Sequence, residues 1–131
     1  MNRKLQTKLI KLSFDLIHIP NATNKHFSYL LDGNKIVSVG FNNSKKTNPL
    51  AAKHNYYNGN IHSELDVIKR YKGSVNDLRY MTMVNVRVNR LGKVQNSRPC
   101  QECEIFLQTF DIKKIFYTNS YGLFEDYRWK N

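Results

Sequence analysis

Two short stretches constrain this chain more than anything else in it: His62-Ser63-Glu64 and Pro99-Cys100-Gln101-Glu102-Cys103. Together they supply one imidazole, two thiols and the Glu64 carboxyl. An imidazole with two thiolates makes a three-ligand zinc site, and zinc in proteins is usually four-coordinate. Three protein ligands leave the fourth position to water, which is the catalytic rather than the structural arrangement. Two thiolates also cancel the ion's formal charge, so the site tolerates a fairly dry cleft. Glu64, two residues beyond His62, can address that water from the side. Whatever the fold is, it must bring residues 62–64 and 99–103 together.

Other chemistry fits part of this pattern. A C-x-x-C pair can be a redox dithiol or half of a structural zinc site. A closed structural site needs a fourth ligand. With only two cysteines in the chain, that ligand would be His18, His26 or His54. The surroundings of the motifs favour the open site. His-x-Glu opens one predicted helix, Pro-Cys-x-x-Cys opens the next, and a predicted strand lies between. Helix N-termini lower thiol pKa and favour the thiolates a metal needs.

The rest of the chain reads as alternating helix and strand. Leu5, Leu9, Leu12 and Leu16 recur at helical spacing and predict an amphipathic helix over 3–18, packed on a sheet. Residues 26–31 and 35–41 read as two strands joined by the turn Asp32-Gly33-Asn34. Residues 43–60 are polar and broken by Pro49 and Gly59, which predicts a long rim loop carrying Lys45, Lys46 and Lys53. A helix follows over 61–71, with Leu65, Val67 and Ile68 on its buried side. Residues 80–89 form the most strand-like run. After the turn Leu91-Gly92-Lys93, a helix over 100–110 offers Ile105, Phe106 and Leu107 to the core. Residues 112–118 and 123–129 predict two last strands around the turn 119–122. At 131 residues the whole chain, 1–131, is expected to form one domain.

The formal charge of +11 attracts phosphate-bearing partners, a nucleotide or a nucleic acid, over a neutral nucleoside. A joint excess of Lys and Asn, spread along the chain, also has a compositional explanation in the coding sequence. No apolar run reaches membrane-spanning length, and no signal-peptide core follows Met1. Two cysteines spaced as metal ligands suit a reducing compartment, so a cytoplasmic location is expected.

With H-x-E followed by P-C-x-x-C, the sequence resembles the zinc-dependent deaminases of the cytidine deaminase-like family. The resemblance runs from about Val37 to Thr118 and includes the helix and strand after Cys103. It implies an α/β fold: a three-layer sandwich around a mixed five-stranded sheet, with the two zinc-bearing helices side by side on one face. Only Asn119–Asn131 follow the fourth strand. A parallel crossover needs about a dozen residues or more, so an antiparallel C-terminal hairpin is expected. The resemblance further implies Zn2+ held by His62, Cys100 and Cys103. Glu64 would shuttle protons from the zinc-bound water in hydrolytic deamination of a cytosine nucleoside or nucleotide. Asn42, His62, Ser63 and Tyr117 would border the substrate, Asn42 through its sugar. Ser63 departs from the Ala more usual in the family and adds a hydroxyl beside the site. The alternative is an RNA or single-stranded DNA deaminase, or a nucleic-acid-binding protein on the same fold, with Tyr56, Tyr57, Tyr117 and Tyr121 as stacking platforms. A homo-oligomer interface could draw on Tyr121, Phe124, Tyr127 and Trp129.

Overall fold

The computed structural model describes residues 1–20, 22–47 and 60–127. Helix α1 (Arg3–Asp15) opens on Asn2, whose side chain accepts the Leu5 N–H at 2.8 Å. It stops before the expected end: residues 16–18 are a turn leading towards Pro20. Strands β1 (Lys25–Asp32) and β2 (Lys35–Phe41) form the expected hairpin, and Gly33 supplies its positive φ of 61°.

The main sheet has the order β2-β1-β5-β7-β8, where β5 is Thr82–Val88, β7 Lys114–Thr118 and β8 Phe124–Asp126. β5 runs antiparallel to β1 and parallel to β7, and β8 returns antiparallel to β7. The mixed sheet and the C-terminal hairpin are therefore as expected. Residues 128–131, with Trp129, lie outside the described residues.

Side-chain alternation along the strands builds two cores. Phe27, Tyr29, Leu31, Val84, Val86 and Val88 meet Leu5 and Leu9 of α1 on one face. On the other face, Leu30, Met83, Ile115 and Tyr117 pack beneath helices α2 (Ser63–Arg70) and α3 (Gln101–Thr109). The result is three layers, with both motif-bearing helices on one side.

The structure differs from the sequence reading at further places. The start of the expected rim loop is strand β3 (Asn43–Thr47), paired antiparallel with β4 (Asn60–Ile61). Lys53, Tyr56 and Tyr57 lie outside the described residues. A 3₁₀ turn (Val75–Tyr80) precedes β5, with Leu78 buried beneath it. Strand β6 (Val94–Gln95) folds back on the end of β5. Finally, Ile105 is 61% exposed. Cys103, Phe106 and Leu107 set the buried face of α3, and Ile105 stands about 200° round the helix from Cys103.

Candidate active site

Helix α2 is held hard against β2. At Gly40 a Cβ would fall 2.5 Å from the Ser63 carbonyl oxygen and 2.6 Å from Val67 Cα, so glycine lets the two backbones touch. Asp66 sits buried in the first turn and accepts the Phe41 N–H at 2.8 Å. Its same oxygen accepts Arg70 Nε at 2.8 Å. Ser38 donates to the Val67 carbonyl at 2.8 Å. These contacts fix the N-terminus of α2, where His62 is the N-cap residue and Ser63 and Glu64 begin the helix.

Helix α3 is positioned from the opposite strands. Ser97, buried where the pairing of β5 with β7 ends, donates to the Asn85 carbonyl at 2.8 Å and accepts the Thr118 N–H at 2.7 Å. Three residues on, Cys100 caps α3, and its Sγ accepts the Cys103 N–H at 3.4 Å. Both motifs thus stand at helix N-termini, as the sequence implied.

The ligand atoms of His62, Cys100 and Cys103 all lie within 4.8 Å of one another. That span is only slightly wider than two zinc–ligand bonds of about 2.0–2.3 Å. His62 Nδ1 lies 3.4 Å from Cys103 Sγ. Hydrogen bonds from the Cys103 thiol, the His62 ring and the Cys103 N–H outweigh burial and hold the Cys100 thiol at about 4, against an ordinary 9.0. One imidazole, one ready thiolate and a second thiol in contact are a donor set that suits zinc. Among the described residues no fourth ligand joins them. His18 is exposed, and His54 lies outside the described residues. His26 is close enough to feel the charges of His62 and Cys100 but stays outside the group. Burial, then Arg87 and His62, hold its ring at about 4, so it is neutral at pH 7.

Glu64 is buried beside this cluster, 6% exposed, and burial pushes its carboxyl above the ordinary 4.5. Both of its oxygens are engaged. Ser63 Oγ reaches Oε1 at 3.1 Å and Asn85 Nδ2 reaches Oε2 at 3.4 Å. Ser28 closes the circuit, 2.8 Å from Ser63 Oγ and 2.7 Å from Asn85 Oδ1. These four contacts need four protons. Ser28, Ser63 and the Asn85 amide supply one each to the ring, and the fourth can come only from Glu64 itself. The ring is complete when Glu64 is protonated and one proton short when it is ionised. This arrangement suits a group that must accept a proton and give it back.

The other sequence-derived residues are placed as follows. Asn42 follows β2, accepting the His26 N–H at 2.9 Å and donating to the Asn24 carbonyl at 2.8 Å. Tyr117 is buried, edge-on to Tyr127 at 6.2 Å, and is no surface stacking platform. Its register partner on β5 is Asn85, so it borders the Glu64 ring. Tyr127 is buried and Phe124 packs on the α1 side, while Tyr121 is 88% exposed. Sequence reasoning passed over Ser28 and Asn85. The available signal was two polar residues at inward-facing strand positions, each one alternation step from a core residue, Leu30 and Met83.

Solved structures with this architecture exist. The chain superposes on the dCMP deaminase of cyanophage S-TIM5 in its apo form with a TM-score of 0.59 at 15% identity, over 92% of this chain and 86% of that one. The same enzyme in complex with dCMP and dUMP gives a TM-score of 0.57 at 15% identity, over 92% and 85%. The chain has the dCMP deaminase fold. No protein-family model matches it, and no curated protein matches its sequence. At this identity the likeness establishes the architecture, and the side chains must carry the chemistry.

Proposed function

We propose that this protein is a zinc-dependent deaminase of a cytosine nucleotide, with His62, Cys100 and Cys103 as metal ligands and Glu64 as the proton carrier. One observation carries the reading: an N/S2 donor set meets a buried carboxyl, hydrogen-bonded on both oxygens, at two helix N-termini. Zinc bound there would supply a water of lowered pKa as the nucleophile. Glu64 takes that nucleophile's proton on a carboxyl oxygen. It would pass that proton to the ring nitrogen beside the amine-bearing carbon, then take the nucleophile's second proton and deliver it to the amine that leaves as ammonia. The C–O bond forms first, as the ring nitrogen gains its proton; the C–N bond breaks in the second step, and cytosine becomes uracil.

The +11 charge favours a phosphate-bearing substrate. The S-TIM5 structure with dCMP and dUMP supports dCMP as the first to try. Asn42 has one amide proton and one lone pair left for a sugar hydroxyl, and Tyr117 would wall the base pocket beside Asn85. His62 and Ser63 complete its floor. The unit proposed is a single domain, 1–131, working in the cytoplasm and able to form homo-oligomers. Among the described residues no helix is long and apolar enough to cross a membrane.

A second reading is supported by one feature of the charge distribution. Residues 87–98 contain Arg87, Arg90, Lys93 and Arg98 and no acid, and they span the β5–β6 hairpin that leads into Cys100. Such a stripe beside the site would track a single-stranded nucleic-acid backbone. Mass spectrometry of dCMP, CMP, deoxycytidine, cytidine, adenosine and single-stranded DNA and RNA separates the two. A one-mass-unit gain on a free nucleotide supports the first reading. A gain on polymer alone supports the second.

A further inference from the structure

The function proposed above uses Glu64 but leaves open what holds it. Glutamate has three rotatable side-chain bonds, and a proton carrier must keep its carboxyl within a fraction of an ångström of both nucleophile and leaving group. We propose that Ser28 and Asn85, facing each other on β1 and β5, are positioning residues that clamp the Glu64 carboxyl by both oxygens, Ser28 acting through Ser63.

Ser28 pairs with Asn85 across the antiparallel β1–β5 ladder, so both side chains stand on the sheet face beneath α2. One alternation step along, the same two strands present Leu30 and Met83, which pack fully buried in the core. An apolar pair at 28 and 85 would extend that core, so polarity there is not needed to fill the space. Both residues are buried, 0% and 2% exposed, and buried polar groups are costly unless bonded. Their side-chain hydrogen bonds run to one another and into the N-terminus of α2: Ser28 to Ser63, and Asn85 to Glu64. The carboxyl is thus held from two directions, Oε1 along the helix by Ser63 and Oε2 from the sheet by Asn85. Two anchored oxygens fix the carboxyl plane as well as its position. Ser97 adds a link to the other motif, since it bonds the Asn85 backbone carbonyl on the way to Cys100. One residue on β5 therefore touches the supports of both halves of the site.

The test uses zinc-loaded full-length protein, comparing wild type with Ser28→Ala, Asn85→Leu and the hydroxyl-restoring Ser28→Thr. Bound zinc, kcat and KM for dCMP deamination, and the infrared carboxyl band of Glu64 (wild type minus Glu64→Gln) are measured on each. The proposal expects kcat to fall by about 10- to 100-fold in Ser28→Ala and Asn85→Leu. KM should stay within about threefold and zinc content unchanged, since the metal ligands are untouched. The Glu64 band should shift, and Ser28→Thr should recover most of the lost kcat. A kcat within about twofold of wild type, a loss that follows loss of zinc, or an unmoved band would overturn it. If wild type deaminates nothing, the functional reading fails on its own. The infrared band then still decides the clamp, a shift supporting it and an unmoved band refuting it. If Ser28→Ala does not fold, Ser63→Ala cuts the same link from the helix side and is held to the same kcat, zinc and infrared outcomes, with KM left out because Ser63 borders the proposed pocket.

Discussion

Replacing Gly40 by alanine should damage both the fold and the candidate site, because the new methyl has nowhere to go. Its carbon would sit 2.5 Å from the Ser63 carbonyl oxygen, 2.6 Å from Val67 Cα and closer still to Val67 N. Comfortable carbon contacts lie at about 3.5–4.0 Å, so the shortfall is about 1 Å. All three atoms belong to the backbone of α2, and none can rotate aside. The helix must lift off β2. Overpacking of this kind costs about 1–3 kcal/mol. Lifting α2 also stretches the Phe41–Asp66 and Ser38–Val67 hydrogen bonds, each worth about 1 kcal/mol. Together the loss is about 2–5 kcal/mol. For a chain of 131 residues that is a fall in Tm of roughly 8–20 °C. Moving His62 and Glu64 about 1 Å relative to Cys100 and Cys103 should cost roughly 100-fold in kcat. Circular-dichroism melting, zinc content and dCMP turnover read all three consequences. A Gly40→Ala variant that melts within about 2 °C of wild type and keeps full activity would refute the reasoning, because it would show that the two backbones are not in contact.

Other expectations follow from the site. Glu64→Gln should retain zinc and lose deamination by about 10²–10⁴-fold or more. Burial raises the folded pKa of Glu64 above its unfolded value, so its contribution to stability is complete below pH 4.5 and is lost as pH rises through the folded pKa. In metal-free protein Glu64→Gln should therefore melt higher than wild type near pH 7 and not at pH 4; an equal difference at both would contradict the assignment. The Cys100 thiol, lowered to about 4, should be alkylated by iodoacetamide in metal-free protein with a midpoint near pH 4. A midpoint near that of a free thiol would show that the Cys103 and His62 bonds do not act. The depressed pKa also contributes stability above pH 9.0 that is lost as pH falls through about 4. Ser97→Ala leaves the buried Thr118 N–H unpaired and should cost about 1–3 kcal/mol in denaturant unfolding.

The parts of this account that were legible in the sequence are those fixed by local chemistry. Residues 35–41 are a strand because Ile36, Val37 and Val39 flank a glycine turn, and the structure agrees at both ends. The motifs announced their helix starts through Pro99 and the acids after His62. The C-terminal hairpin was signalled by the turn Asn119-Ser120-Tyr121-Gly122, whose glycine has a φ of 78°. What escaped depends on partners distant in sequence. β6 is two residues long and exists because Arg87 and Val88 carry β5 past its pairing with β7 and accept it. β3 is polar throughout, and its pairing sets Asn43 against Ile61, far along the chain. Ile105 is apolar, but the face of α3 is set by Cys103 and Phe106, and the helix carries it into solvent. Ser28 and Asn85 lie 57 residues apart. Each alone reads as an ordinary strand residue, and only the β1–β5 register turns them into a clamp.

Whether Glu64 carries a deamination is decided by dCMP turnover followed by mass spectrometry, with zinc-loaded wild type and Glu64→Ala side by side. The account expects a one-mass-unit gain with release of ammonia in wild type, and none in Glu64→Ala at equal zinc content. Turnover that survives Glu64→Ala, or wild-type silence on dCMP and on every other cytosine substrate with one zinc bound, would contradict it.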